Sequence, residues 1–412
     1  PRRKRCECAL RLNAHAGIGG NILAKATFPT TSSAAFLAVT RLRLTGFRNY
    51  GALSLDLAPE PVVATGPNGA GKTNLLEAIS LLAPGRGLRQ ARLSEIKLRQ
   101  PDNQEKPRGT AGWAVAATIE TMQGPVDIST GCFPPDEKRI VQISGARAKS
   151  QSALADFVSA VWLTPQMDRF FTDGPSVRRR FLDRLVFGFD TAHAGRVSAF
   201  ESAMRQRGKL LRDGFVDDIW LGVLESTIAE RGVAIAAARR EMADRLNRAC
   251  AVSRGLFPHA TLTIQGTLET WFDTYPALEV EDRLRRSLAE NRNANSDSNK
   301  SPIGPHRSEL QVLHVEKGQP ANLCSTGEQK ALLIAIVLAD TRIRAAQRDA
   351  APLLLLDEVA AHLDEDRRES LFEEIFKLGA QVWLTGTDHS VFSAMQNRAQ
   401  FLDVRDGQVK LQ

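Results

Sequence analysis

Long apolar runs are missing from this sequence. No stretch approaches the ~18 residues that a membrane span needs. The longest clean run, Ala331 to Ala339, has nine residues and suits a protein core. Zinc-spaced cysteines are missing too. The five cysteines (Cys6, Cys8, Cys132, Cys250 and Cys324) form no CxxC pair and no Cys/His set. Scattered thiols of this kind point to a reducing, cytoplasmic compartment. A secretory signal is disfavoured, because Arg11, Asn13, His15 and Lys25 interrupt any apolar segment near the start. No recognition helix, zinc finger or stacking aromatic box is visible, which argues against base-specific reading of nucleic acid.

What is present has the balance of a soluble globular chain. The 412 residues are 43% hydrophobic and 25% charged, enough for two or three domains with a large core and no disulfides. Disorder is excluded on the same ground. The net charge is +7, yet residues 1–36 hold six basic side chains against Glu7, so they carry +5 of it. Overall basicity is therefore a poor argument for a nucleic-acid partner, and local clusters must decide. Residues 1–38 lack periodicity and are expected to be an unstructured N-terminal extension, with an Arg-rich transit peptide as the other reading.

Regular patterning begins at Val39. Leu42, Leu44 and Phe47, then alternating Leu53–Leu57, predict a β-hairpin. Pro61–Thr65 is a short apolar strand that feeds a glycine-rich turn, and Asn74 to Leu82 has helical spacing. Further strand-like pieces fill 111–145. Residues 176–255, rich in Arg, Ala and Leu, read as long helices, enough for a hairpin of about 40 residues per arm, roughly 60 Å long. A polar, low-complexity linker follows at 291–302. Strands at Glu309–Val315, Leu353–Leu356 and Val382–Thr385 then alternate with helices from about Thr326 and near Arg367–Leu378. That βαβ rhythm predicts a mostly parallel sheet. The expected organisation is an α/β domain in two parts, 39–175 and 296–412, with an inserted helical arm at 176–295.

Three motifs carry chemistry. Gly66-Pro67-Asn68-Gly69-Ala70-Gly71-Lys72-Thr73 matches G-x-x-x-x-G-K-[ST] between a strand and a helix. Its glycines let backbone N–H groups face phosphates at a helix N-terminus. Lys72 would reach the β/γ-phosphates, and Thr73 would hold Mg²⁺. Leu353–Leu356 ends in Asp357 and Glu358, at the strand end where open α/β sheets place ligands. Asp357 suits Mg²⁺, and Glu358 suits a general base that polarises the attacking water. Ser325-Thr326-Gly327 opens an apolar helix, an anion-binding N-terminus with Ser325 at or near the cap.

Together these motifs resemble the SMC-like branch of the ATP-binding-cassette (ABC-type) P-loop ATPases. The resemblance implies a signature motif at Ser325 and Gly327 and a D-loop at Ala361-His362-Leu363-Asp364, with Asp364 near the nucleotide. It also implies two ATP molecules sandwiched in a head-to-tail homodimer. Ser325 lies 253 residues beyond Lys72, too far for a compact transporter cassette and too near for a long SMC coiled coil. Leu42–Tyr50, Gly174–Asp183 and Gly304-Pro305-His306-Arg307 are similar to stretches of the RecF family of DNA replication and repair proteins. That family implies ATP-dependent binding of single-stranded or gapped DNA and slow, DNA-stimulated hydrolysis. It further implies recombinase loading with RecO and RecR, and support of the SOS response. A scaffold that binds ATP without functional hydrolysis, or another SMC-like ATPase, is the alternative.

By the same resemblance Arg48 corresponds to an arginine that reaches phosphate, although an exposed turn arginine is equally consistent. Gln166 is the candidate for a second Mg²⁺ contact. The γ-phosphate sensor falls on Thr387 or His389. For DNA, Arg178, Arg179, Arg180, Arg205, Arg207 and Lys209 are the candidates; residues 175–254 carry 15 basic and 10 acidic side chains. Phosphate binding needs such a cluster, while arginine-rich faces are also commonly solvated and paired with acids.

Overall fold

A computed structural model describes residues 37–98, 112–213, 217–252, 255–292 and 301–412. Residues 1–36 of the proposed 1–38 extension and 293–300 of the 291–302 linker lie outside the described residues; Leu37 is buried and Ala38 already begins a strand, so the ordered chain starts earlier than expected. The described residues form one compact unit.

Its centre is a six-stranded sheet in the order β15-β14-β3-β13-β12-β8. The strands are β3 (Val62–Thr65), β8 (Ala160–Leu163), β12 (Leu353–Leu356), β13 (Val382–Gly386), β14 (Gln400–Arg405) and β15 (Gln408–Leu411). All neighbours are parallel except β14 and β15. The expected parallel sheet is thus present, and its near-continuous apolar strands follow from burial on both faces. Side chains alternate between two cores. Val63, Leu163, Leu354, Leu356, Val382 and Leu384 face one; Val62, Ala64, Trp162, Leu353, Leu355 and Trp383 face the other.

The second core is closed by α1 (Lys72–Ser80) and by an antiparallel sheet, β2-β1-β4-β5-β6-β7. In it the predicted hairpin is β1 (Ala38–Phe47) and β2 (Tyr50–Asp56), turning at Arg48 and Asn49. The other strands are β4 (Trp113–Thr121), β5 (Gly124–Phe133), β6 (Asp136–Ile143) and β7 (Ala146–Arg147), with the short helix α2 (Leu93–Ile96) between β2 and β4 in sequence.

The first core is closed by helices. The segment read as one long hairpin is instead three helices: α3 (Pro175–Phe187), α4 (His193–Arg212) and α5 (Asp218–Ala251), of 13, 20 and 34 residues. The expected arm, 176–295, also holds a strand that the sequence reading missed, β9 (Ala260–Gln265), followed by α6 (Thr267–Phe272) and α7 (Ala277–Glu290). β9 pairs with β10 (Glu309–His314), and β10 with β11 (Gln319–Pro320). Arm and head therefore share a small sheet. Helix α8 (Thr326–Arg348) is buried along most of its length, and α9 (Glu365–Leu378) packs beside it. Among the described residues no helix is long and apolar enough to cross a membrane.

The distal half of the arm has a third core of its own, with Phe200, Leu224, Ile228, Val280 and Leu284. A buried ion pair, Glu225 and Arg207, sits beside it. Glu225 is 1% exposed and takes Arg207 Nε at 2.9 Å and Arg292 Nη2 at 2.6 Å, while Arg207 also donates to the carbonyl of Leu288. This network joins α4, α5 and the end of α7. Removing one partner of a buried ion pair leaves an uncompensated charge and costs about 3–5 kcal/mol. Glu225→Ala should lose stability on that scale in urea denaturation; a loss below about 1 kcal/mol would mean that solvent already reaches the pair.

Candidate nucleotide site

The P-loop Gly66–Thr73 joins β3 to α1. Its glycines are required by geometry. Gly66, Gly69 and Gly71 have φ of 150°, 82° and 117°, values that side-chain-bearing residues rarely adopt. A Cβ on Gly66 would also lie 2.0 Å from the carbonyl oxygen of Val404, and one on Gly71 2.5 Å from Asn49 Nδ2. Asn49 in turn donates to the Ala70 carbonyl and Tyr50 to that of Gly71, so the β1–β2 turn braces the loop. Among the described residues the backbone N–H groups of Gly69, Gly71, Lys72 and Thr73 donate to no protein acceptor. Four unpaired donors at the positive end of a helix dipole form an anion cradle.

Lys72 Nζ donates to the carbonyls of Gly66 and Pro67 at 2.8 and 3.0 Å, which leaves one of its three N–H donors. Burial pulls the ammonium below its ordinary pKa, opposed by the charges of Glu358 and Asp357. Thr73 Oγ1 donates to the Asp357 carboxylate, 2.9 and 3.0 Å from its two oxygens. Thr385 Oγ1 donates to Asp357 Oδ1 at 2.8 Å and accepts from the Glu358 amide at 2.9 Å. Burial pushes Asp357 above the usual carboxylate range; the two hydroxyls oppose the rise, and Glu358 adds to it. Glu358 itself has φ 54°, a strained backbone costing about 1–3 kcal/mol that clusters at functional sites.

Parallel pairing explains this convergence. Leu356 lies opposite Leu163 on one side and Leu384 on the other, so the next residues along β8, β12 and β13 emerge side by side. Gln166 is exposed just beyond β8. Thr387, Asp388 and His389 line a cavity of about 880 Å³ together with Gly66, Pro67 and Arg405. The His389 ring stacks on Phe401, with centroids 4.4 Å apart. Asp388 caps the following turn through the Ser390 amide.

The remaining site candidates have specific partners. Arg48 holds Glu77 of α1 through Nε and Nη2 at 2.8 and 2.6 Å, and its Nη1 donates to the Glu95 carbonyl. Ser325 caps α8 in a reciprocal box with Glu328, which Lys317 also grips; Gly327 lies in the first turn. Asp364 caps α9 by accepting from the Arg367 amide. The sequence reading missed Arg89. It donates to Asn74 and Glu77, and its charge reaches Asp357. Its signal was Gly85-Arg86-Gly87, a turn that returns the chain to α1.

The arginine candidates divide. Arg178 is spent: it holds Glu309 through two nitrogens at 2.7 and 3.0 Å, and its Nη1 serves the carbonyls of Phe170, Phe171 and Asp173. Arg207, 2% exposed, belongs to the Glu225 network. Both are corrected from phosphate contacts to buried or bidentate structural pairs. Asp183 pairs with Arg239 and His193 rather than with Arg180 or Arg184, and Arg184 lies over the Trp162 ring. Arg180, Arg205 and Lys209 are exposed, with Arg205 near Glu201 at 3.8 Å.

The family model RecF/RecN/SMC N terminal domain matches residues 38–410. A DNA replication and repair protein RecF of Mesorhizobium japonicum is 47% identical over 377 residues, covering 90% of this chain and 97% of its own. This chain belongs to the RecF family. A RecF of Brucella suis biovar 1 is 45% identical over 379 residues, covering 90% and 96%. In three dimensions the chain is similar to the recombination mediator protein RecF-ATPrS of the RecFOR pathway, with TM-score 0.79, 21% identity and 92% and 99% coverage. It is also similar to an Smc head domain of Pyrococcus furiosus, with TM-score 0.53, 17% identity and 92% and 96% coverage. The RecF fold, with its ABC-type ATPase head, is thereby established for the chain.

Thr385 is the simplest test of this geometry. Thr385→Val keeps the side-chain shape and leaves both the Asp357 oxygen and the Glu358 amide without that partner. A buried group left unsatisfied costs about 1–3 kcal/mol, so denaturant unfolding should report a loss in that range. A loss under about 0.5 kcal/mol would show that the hydroxyl does not hold these two groups.

Proposed function

We propose that this RecF-family chain is an ATP-switched DNA-binding protein of recombinational repair and replication. ATP drives head-to-tail dimerisation on single-stranded or gapped DNA, and slow hydrolysis releases it. The observation that carries the reading is the P-loop cradle, with four unpaired backbone donors and Lys72 beside them. A triphosphate is the anion whose charge and length suit that row of donors.

The donor set beside the cradle fits Mg²⁺: hydroxyl and carboxylate oxygens of Thr73 and Asp357 are the hard ligands that ion takes, and Gln166, just beyond β8, would add its amide oxygen. Bound there, the ion would neutralise charge on the β- and γ-phosphate oxygens. Glu358 would accept a proton from the water that attacks the γ-phosphorus as the bond to the β-phosphate oxygen breaks, giving ADP and phosphate. Its strained backbone, pinned through Thr385, fixes where that carboxylate stands. An intact Glu358 supports hydrolysis over a purely scaffolding role. Thr387 or His389 would sense the γ-phosphate from the same cavity.

Ser325 and Gly327 would meet the nucleotide held by a second copy, with Asp364 contributing near it. Arg48 would contribute after releasing Glu77. Exposed Arg180, Arg205 and Lys209 would meet the phosphate backbone of DNA. Within the cytoplasm the dimer would act at gaps with RecO and RecR, helping to load recombinase and supporting the SOS response.

Lys72→Ala should abolish nucleotide binding in equilibrium titration, whereas Glu358→Gln should bind ATP, stay dimeric and hydrolyse at least 100-fold more slowly, on the order of a lost general base. Unchanged turnover in Glu358→Gln would assign the water to another group. Ser325→Arg should bind ATP yet fail to dimerise, because a cation would face a helix N-terminus that is already positive. Mixing Lys72→Ala with Ser325→Arg should restore one composite site and partial activity. ATP-dependent dimerisation of Ser325→Arg alone, measured by sizing, would refute the head-to-tail arrangement.

A further inference from the structure

The segment Gly304–Glu309, which leads into β10, is gripped by arginines from the arm. Arg239 of α5 donates to the Pro305 carbonyl. Arg179 of α3 donates through Nη1 to the Ser308 carbonyl at 2.9 Å, and Arg178 holds Glu309. From within the segment, His306 Nε2 and Arg307 Nε both donate to the Ser301 carbonyl at 3.1 Å. Two of the carboxylates around this segment are consumed by arginines, and a third, buried Glu269, accepts from Ser308 Oγ at 2.7 Å without reaching an arginine. Asp183 takes Arg239 through two bonds of 2.8 Å, and Glu309 takes Arg178. Among the described residues neither Arg179 nor Arg307 has a carboxylate within ion-pair distance. Arg307 is exposed and Arg179 half-buried.

We propose that Arg179 and Arg307 form a phosphate notch at the junction of arm and head, and that it takes the phosphodiester backbone of a nucleic-acid strand. This rests on the DNA-binding reading above and adds a place and two residues to it. Each guanidinium spends only part of its fork on a carbonyl, so both retain donors in the planar arrangement that suits phosphate oxygens. The unesterified oxygens of a phosphodiester can accept from both forks at once. Burial, and then the like charge of Arg239, hold Arg179 below the ordinary arginine pKa; the charges of Glu309 and Asp183 oppose the shift and that of Arg307 adds to it. Nothing here reads a base, in keeping with binding that depends on structure and salt rather than sequence.

The test uses the full chain and a fluorescently labelled gapped duplex, titrated by anisotropy with a non-hydrolysable ATP analogue at several salt concentrations. Arg307→Gln and Arg179→Gln should each weaken binding roughly tenfold and lower the slope of log affinity against log salt by about one. Arg307→Lys should keep the slope. ATP affinity should stay unchanged in all three and serves as the check on folding; should Arg179→Gln fail it, exposed Arg307 decides alone. A wild-type protein that binds DNA with a steep salt slope, and Gln variants with the same slope, would overturn the notch and leave the DNA-binding reading standing. A wild-type protein that binds no DNA with or without the analogue would overturn both.

Discussion

The Asp357 carboxylate holds three distant parts of the chain in one place. It ends β12, receives the hydroxyl of Thr73 at the start of α1, and receives that of Thr385 from β13. The same Thr385 oxygen takes the Glu358 amide, so the carboxylate also fixes the residue that follows it. This arrangement requires the register in which Leu356 faces Leu163 and Leu384. A slip of one residue would turn every side chain of β12 to the opposite face and carry Asp357 away from both hydroxyls. Register, in turn, is set by the two cores between which the strands alternate. The nucleotide site is therefore a consequence of apolar packing, with a single buried charge as its reference point.

The candidate nucleotide site was readable in the sequence because backbone geometry dictates its residues. Only glycine suits the φ values at Gly66, Gly69 and Gly71, and a helix must begin where Lys72 and Thr73 stand. The buried strands were equally legible as short apolar runs. β9 was not, although Ala260, Leu262 and Ile264 alternate with Thr261 and Thr263. Six residues next to a long helical stretch give too little periodicity to stand out. Its partner β10 is remote in sequence, pairing Glu309 with Gln265.

The arginines were the least legible, for a related reason. A guanidinium acts according to its acceptor, and acceptors come from anywhere in the chain. Arg178 and Arg179 are neighbours, yet one meets Glu309 and the other only a carbonyl beside it. Arg207 lies two residues from exposed Arg205 on the same helix, but faces inward to Glu225. Helical periodicity could have separated those two, since Ala203 and Phe200 mark the buried face of α4. Nothing local could have separated Arg178 from Arg179.

Helix α5 runs unbroken for 34 residues, about 51 Å at 1.5 Å per residue. Its first half, with Leu224 and Ile228, packs into the distal core; its second half, with Met242, Leu246 and Cys250, packs against α8 in the head. It behaves as a cantilevered beam clamped at its root. Bending the arm relative to the head would mean breaking the helix or emptying the joint. In an assembly of two such protomers the aperture between the arms would be set at the heads, and a small rotation there would become a displacement of many ångströms at the tips. The reach of the arms is then fixed by leverage rather than by flexibility.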